Sequence, residues 1–123
     1  MRTRVRSALG PVVAITALSL SCAKAATAPI ATPEGVTFVL TRASARSVAV
    51  AGDFNGWSVS AHPLNRSGST NEWKAVVRMP PGEHAFMFVV DGTEWVVPPA
   101  AEDYVDDGLG SKNGVVIVRP PER

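Results

Sequence analysis

The run Val48-Ala49-Val50-Ala51-Gly52-Asp53-Phe54-Asn55-Gly56-Trp57 constrains the fold of this chain more than any other stretch. Its first half is an alternating apolar run, the pattern of a half-buried strand with Val48 and Val50 on one face. The Gly, Asp and Asn that follow must turn the backbone sharply, and the turn delivers a tryptophan. A second run, Phe86 to Val90, breaks in the same way at Asp91-Gly92 and is followed by Trp95. Two strand ends that each present an indole can build an aromatic surface with few formal charges. Such a surface suits a neutral, polyhydroxylated ligand better than an anionic one, which points to a carbohydrate.

The remaining signals are also for strands. Val36 to Arg42 sets Val36, Phe38 and Leu40 on one side, and Glu72 to Met79 sets Trp73, Ala75, Val77 and Met79 against Lys74, Val76 and Arg78. Glu83 to Val90 places His84, Phe86, Phe88 and Val90 together, Trp95 to Val97 adds a short strand, and Gly114 to Arg119 closes the set. Pro80-Pro81-Gly82 is turn chemistry. About seven short strands separated by Gly and Pro turns, with no amphipathic helical segment, predict an all-β, antiparallel, immunoglobulin-like sandwich. The domain is expected over residues 36–119, with 120–123 as a tail. The stretch Pro98 to Lys112 reads as one long loop, a length that is often functional.

The first 25 residues read as a secretory signal: Arg2, Arg4 and Arg6, then an apolar stretch from Ala8 to Leu20, then small residues. The apolar stretch is too short to span a bilayer comfortably. Ala23-Lys24-Ala25 fits ordinary signal peptidase, with cleavage before Ala26. The alternative is a lipoprotein signal, since the sole cysteine, Cys22, follows Leu18-Ser19-Leu20-Ser21 in the place of a lipidated residue. With one cysteine, no disulfide forms within the chain. Residues 26–35, rich in Ala, Thr and Pro, read as a semi-extended linker. The expected location is therefore outside the cytoplasm, in the periplasm or envelope of a bacterium, with membrane contact only through a lipid at Cys22.

Charge excludes one class of partner. Without the three leader arginines, 12 basic residues fall to nine against 11 acidic ones. No Lys/Arg cluster remains to neutralise phosphates, so nucleic acid is not an expected partner.

The motifs Ala51-Gly-Asp-Phe-Asn-Gly-Trp57, Pro81-Gly-Glu-His-Ala-Phe-Met-Phe-Val-Val-Asp-Gly92, Trp95 and Leu109-Gly-Ser-Lys-Asn113 occur in an order that resembles a known family. That family is the glycogen-binding domain of the AMP-activated protein kinase β subunit. More widely, the chain is similar to carbohydrate-binding module family 48, the early-set domains of branching and debranching enzymes. The resemblance covers Val36 to Val118. It implies that Trp57 and Trp95 stack on glucose rings, that Leu109 packs on an α-glucan, and that Ser111 and Asn113 reach sugar hydroxyls. Met87 stands where the kinase subunit carries a sugar-contacting lysine. Val97-Pro98 replaces an Asp-Pro, and Thr93-Glu94 adds a residue before Trp95.

Each position also has a plainer reading. Trp57 and Trp95 can cap the core, and Trp73 is in phase with core residues. Asp53, Asn55, Asp91 and Gly92 read as turn residues; Asn113 is either a strand-entry residue or a sugar ligand. The acidic group Glu102, Asp103, Asp106 and Asp107 lacks EF-hand spacing and reads as a solvated loop. His62 and His84 show no metal or acid–base spacing. No triad or carboxylate pair can be assembled, so neither catalysis nor a cofactor or metal is expected. The expected partner is an α-glucan. The other reading is a protein-interaction module of the cell envelope that keeps the fold without the ligand.

Overall fold

The computed structural model describes residues 26–121; the expected leader, both cleavage positions and Cys22 lie outside the described residues. Nine short strands run through the described residues: β1 (Ile30–Thr32), β2 (Gly35–Thr41), β3 (Val48–Gly52), β4 (Asn65–Arg66), β5 (Glu72–Val77), β6 (Gly82–Val90), β7 (Glu94–Val96), β8 (Asp103–Asp106) and β9 (Lys112–Val118). A 3-10 turn, Asp53–Asn55, follows β3. One antiparallel sheet has the order β1-β2-β5-β4; the other has β3-β6-β9-β8, with β7 also paired to β6.

The two sheets share one core. Val36, Phe38 and Leu40 of β2 and Trp73 and Val77 of β5 meet Val48 and Val50 of β3, Phe86, Phe88 and Val90 of β6, and Val116 of β9. Phe38 joins the layers: its ring centroid lies 5.0 Å from that of Phe86 and 6.4 Å from that of Phe88, both edge-on. Aromatic pairs favour that geometry, which sets the negative face of one ring against the positive edge of the other. Trp73 belongs to this core, as its phase predicts, and its Nε1–H donates to the Arg42 carbonyl at 3.4 Å.

The strand count exceeds the expected seven because weak segments pair: Asn65–Arg66, which reads as the start of a polar loop, pairs with Lys74 and Trp73, and two further segments do the same elsewhere. Ile30–Thr32, within the expected linker, lies against Val36 and Thr37 as an edge strand, so residues 26–35 are not a free tether along their whole length. Asp103–Asp106, within the expected long loop, pairs with Lys112–Val115. Both are short and exposed edge strands, where no buried face imposes an apolar pattern.

β6 is the strand that positions the cleft. β3 runs along one of its edges from Phe86 to Val90. Its other edge is divided: β9 pairs over Gly82–Phe86 and β7 over Phe88–Val90. Met87 sits where the two meet. Successive side chains alternate across a sheet and opposed residues share a face. Phe86 and Phe88 point inward, so Met87 points outward, as do Trp95 (opposite Val89) and Asn113 (next to Gly114, which opposes Phe86).

Candidate functional site

On that outward face lies an open cleft of about 430 Å³, lined by Trp57, Met87, Trp95, Val97, Asp107, Ser111 and Asn113. Three elements meet there: the turn after β3, the β6–β7 hairpin and its exit, and the loop from β8 into β9.

The first turn is fixed by its own asparagine. Asn55 Oδ1 accepts from the Gly52 N–H at 3.0 Å and the Ser58 N–H at 3.2 Å, while Nδ2 donates to the Val50 carbonyl at 3.0 Å and lies 2.9 Å from His62 Nδ1. Gly52 must be glycine: a Cβ there would meet the Phe54 ring at 2.3 Å and the Ala85 carbonyl at 2.6 Å. The chain leaves the turn through two left-handed residues, Gly56 at φ 64 and Trp57 at φ 59. A bulky residue in that region is an outlier, with a cost of roughly 1–3 kcal/mol that the surrounding bonds must overcome. The Trp57 N–H donates to the Gly52 carbonyl at 2.9 Å, closing the turn and leaving the indole half-buried at the cleft.

Asp53, read as a turn residue, also ties this turn to β6. Its Oδ2 accepts from the Ala85 N–H at 3.1 Å, and its Oδ1 lies 2.9 Å from His84 Nδ1. His84 Nε2 donates to the Pro80 carbonyl at 2.7 Å, so the ring holds the β5–β6 turn to the β3 turn, a structural part.

Trp95 arrives by a different route. Asp91-Gly92-Thr93 form the hairpin, with the Thr93 N–H donating to the Val90 carbonyl at 3.2 Å, and Glu94 already opposes Val90. Trp95 is 45 % exposed on the cleft wall. Asp91 Oδ1 accepts from the Arg46 N–H at 2.7 Å and the Ser47 N–H at 3.1 Å. The Arg46 bond first, then the Ser47 bond, holds its carboxyl below the usual carboxylate range. Arg42 and Glu94 form an ion pair beside this turn.

After β7 the chain is pressed against β9. Gly114 leaves no space for a Cβ, which would meet Pro98 at 2.7 Å and Phe86 at 3.0 Å. The Tyr104 hydroxyl donates to the Pro98 carbonyl at 2.8 Å. This clamp brings Val97 to the cleft.

The third wall is the loop 107–111. The Asp107 N–H donates to the Ser111 carbonyl at 3.0 Å, and Asp107 Oδ1 accepts from the Leu109 N–H at 2.7 Å and the Ser111 N–H at 3.0 Å. Gly108 and Gly110, at φ 78 and 88, let the chain double back.

Of the residues singled out in the sequence, Trp57, Met87, Trp95, Ser111 and Asn113 come together around one cleft. Leu109 does not line it: held at the loop tip between the two glycines, it is 90 % exposed. Asp107 and Val97 were not expected on the cleft. Asp107 reads in sequence as part of a solvated acidic loop, and only the register of β8 against β9 brings it inward, two residues beyond Val105, which opposes Asn113. The other acids serve the backbone: Glu102 Oε2 accepts from the Ile117 N–H at 2.9 Å, and Asp106 Oδ1 from the Gly108 N–H at 2.7 Å.

Comparison with known proteins places the chain in a family. Residues 36–123 match the family described as the glycogen recognition site of AMP-activated protein kinase. The chain is 38 % identical over 74 residues to the 5'-AMP-activated protein kinase subunit beta-1 of Sus scrofa, covering 60 % of this chain and 56 % of that protein. It is 38 % identical over 74 residues to subunit beta-2 of Mus musculus, covering 60 % of this chain and 26 % of that protein. Subunit beta-1 of Bos taurus is 39 % identical over 74 residues, covering 60 % of this chain and 25 % of that protein. The chain thus spans between a quarter and just over half of these relatives. From Val36 onward, this chain belongs to the family of the glycogen recognition site of AMP-activated protein kinase.

Proposed function

We propose that this is a non-catalytic carbohydrate-binding module that docks an α-glucan, of the glycogen or starch type, on the outward cleft. The fold is that of an early-set, immunoglobulin-like sandwich. Trp57 and Trp95 form an aromatic platform for sugar rings, Met87 is its apolar floor, and Asn113 and Ser111 select hydroxyls. The observation that carries this reading is the convergence of both indoles with Asn113 on one open cleft. Mechanism is passive: a preformed surface exchanges its water for pyranose faces. The leader pattern of residues 1–25 supports export to a bacterial envelope. If Cys22 carries the lipid, a Cys22→Ser variant leaves the membrane fraction; equal partitioning of both forms would overturn the anchor.

Affinity is expected to be weak, with Kd between roughly 10 μM and 1 mM. A Kd of 1 mM corresponds to about −4.1 kcal/mol. Each aromatic stack contributes about 0.5–1.5 kcal/mol beyond apolar burial, with aromatic pairs as the guide, and association costs offset much of the contact energy. Calorimetry with maltoheptaose and pull-down on insoluble α-glucan test the reading. Absence of heat at millimolar sugar favours the second reading, an interaction module of the envelope that has lost the ligand. Two features speak for that alternative: the apolar Met87 at the cleft floor, and Leu109, which stands away from the cleft.

A further inference from the structure

The cleft has a charge asymmetry that its sugar-binding reading does not use. Among its seven lining residues, six are uncharged, and the one formal charge is the carboxylate of Asp107. The side chain is half-buried, which limits the water that can screen it. Its two oxygens have different employment. Oδ1 accepts the Leu109 and Ser111 N–H groups and closes the loop. Oδ2 has no hydrogen-bond partner among the described residues, and the side chain borders the space a ligand would fill. No lysine or arginine lines the same wall to offset it.

We propose that Asp107 is a specificity-determining residue of the cleft: Oδ2 accepts a hydrogen bond from a hydroxyl of a neutral glucan, and its charge rejects glucans that carry phosphate or carboxylate groups. The proposal rests on the α-glucan reading of the cleft. It adds a ligand class, neutral against anionic α-glucan, and a residue that sets the choice. The physical basis is twofold. A carboxylate is an acceptor only, matched to hydroxyl donors and unmatched to a second anion, and bonds to an ionised acceptor are about twice as strong as neutral ones. Two negative charges within one cleft also repel, and like-charge juxtaposition is a direct device for suppressing the wrong partner.

The test uses three oligosaccharides of equal length: maltohexaose, its analogue oxidised at C6 to a glucuronate, and the methyl ester of that analogue. Ester and acid differ chiefly in charge, which separates repulsion from size. Binding is measured by calorimetry or ligand-observed NMR in about 20 mM and about 500 mM salt, where the screening length falls from tens of ångströms to a few. With the natural protein at low salt, the ester is expected to bind about five- to tenfold more tightly than the acid, and high salt should reduce the ratio to about twofold or less; a tenfold ratio is about 1.4 kcal/mol. Asp107→Asn keeps one amide oxygen for the loop N–H groups and removes the charge. Its ester-to-acid ratio should fall below about twofold at low salt as well, with the thermal melt used to confirm the fold. A ratio unchanged in Asp107→Asn, or a wild-type ratio insensitive to salt, overturns the role of Asp107 while leaving glucan binding in place. No binding of maltohexaose by the natural protein overturns the glucan reading and this inference together.

Discussion

Two turns of this domain each deliver a tryptophan from an Asp- and Gly-containing sequence, yet they are held in different ways. The turn from Gly52 to Trp57 is held chiefly from within, with Asp53 adding a tie to Ala85 and His84 of β6: Asn55 bonds the backbone at Val50, Gly52 and Ser58, and Gly52 is packed so closely that no side chain fits. The turn from Asp91 to Trp95 depends on a neighbour. Its aspartate is anchored on the Arg46 and Ser47 N–H groups of the β2–β3 loop, and Gly92 has open space around it. The first turn places its indole half-buried on a strained backbone; the second places it exposed on an ordinary strand. On the proposed reading, the bonds of the first turn preorganise one side of the cleft, and preorganisation reduces the ordering cost of binding.

The two glycines break the comparison most sharply. Gly52→Ala drives a methyl group into the Phe54 ring and the Ala85 carbonyl, and overpacking of this kind is expected to cost about 3 kcal/mol. Gly92→Ala meets nothing and loses only the ease of its positive φ of 74, about 1–2 kcal/mol. Urea melts of the two variants measure the difference. Equal losses would mean that the first turn is no more rigid than the second.

Asn55→Ala comes next. It removes an acceptor shared by two N–H groups and a donor to the Val50 carbonyl. Leaving such partly buried groups unpaired costs about 1–3 kcal/mol. The sharper consequence is functional: without the clamp, Trp57 is no longer held at the cleft, and affinity for maltoheptaose should fall about tenfold or more in a protein that remains folded below its melt.

The indoles themselves can be compared with little disturbance to the fold. Trp57 already has glycine-like backbone angles, so Trp57→Gly removes the ring without adding strain, and stability should change by less than about 1 kcal/mol, as the lost contacts and the relieved strain act in opposite directions. Sugar binding should disappear. Trp95→Ala should weaken binding about tenfold and leave the melt nearly unchanged, since its ring is largely outside the core. Unfolding on Trp57→Gly would make that indole a structural cap and remove it from the site.

The contrast between the two turns also shows what the sequence can convey. Alternation marks β2 and β5, whose outer faces meet solvent, and it places Trp73 in the core correctly. In β3 and β6 it phases the core face correctly, with Val48, Val50, Phe86, Phe88 and Val90 inside, but it does not reveal that Ala49, Ala51, Met87 and Val89 on the other face are buried as well. β1 and β8 lack any pattern, since an edge strand is specified by its partner and not by a buried face of its own. Five cleft residues are reachable through the resemblance, because each sits in a motif tied to a turn. Asp107 and Val97 are not, because their approach depends on the register of β8 and on the packing of Pro98 over Gly114, which are long-range facts.

The smallest expected effect concerns the anchor of the second turn. The Asp91 carboxyl is held below the usual carboxylate range, chiefly by the Arg46 N–H and then by the Ser47 N–H. For a group whose folded pKa is depressed, the ionised form is favoured by the fold. Its contribution is therefore fully present above the unfolded value and is lost as pH falls through the lower folded value. Asp91→Asn keeps the acceptor oxygen and tolerates the positive φ of 53, but it has no charge to lose. At neutral pH the variant should melt slightly below the natural protein. As pH drops below about 3.8 the two melting curves should converge, because the aspartate becomes a neutral acceptor like the amide. Persistent separation of the curves in acid would mean that shape, and not charge, anchors the turn. Loss of sugar binding in Asp91→Asn at neutral pH would show instead that the anchor reaches as far as Trp95 and that the two turns are less independent than their bonding implies.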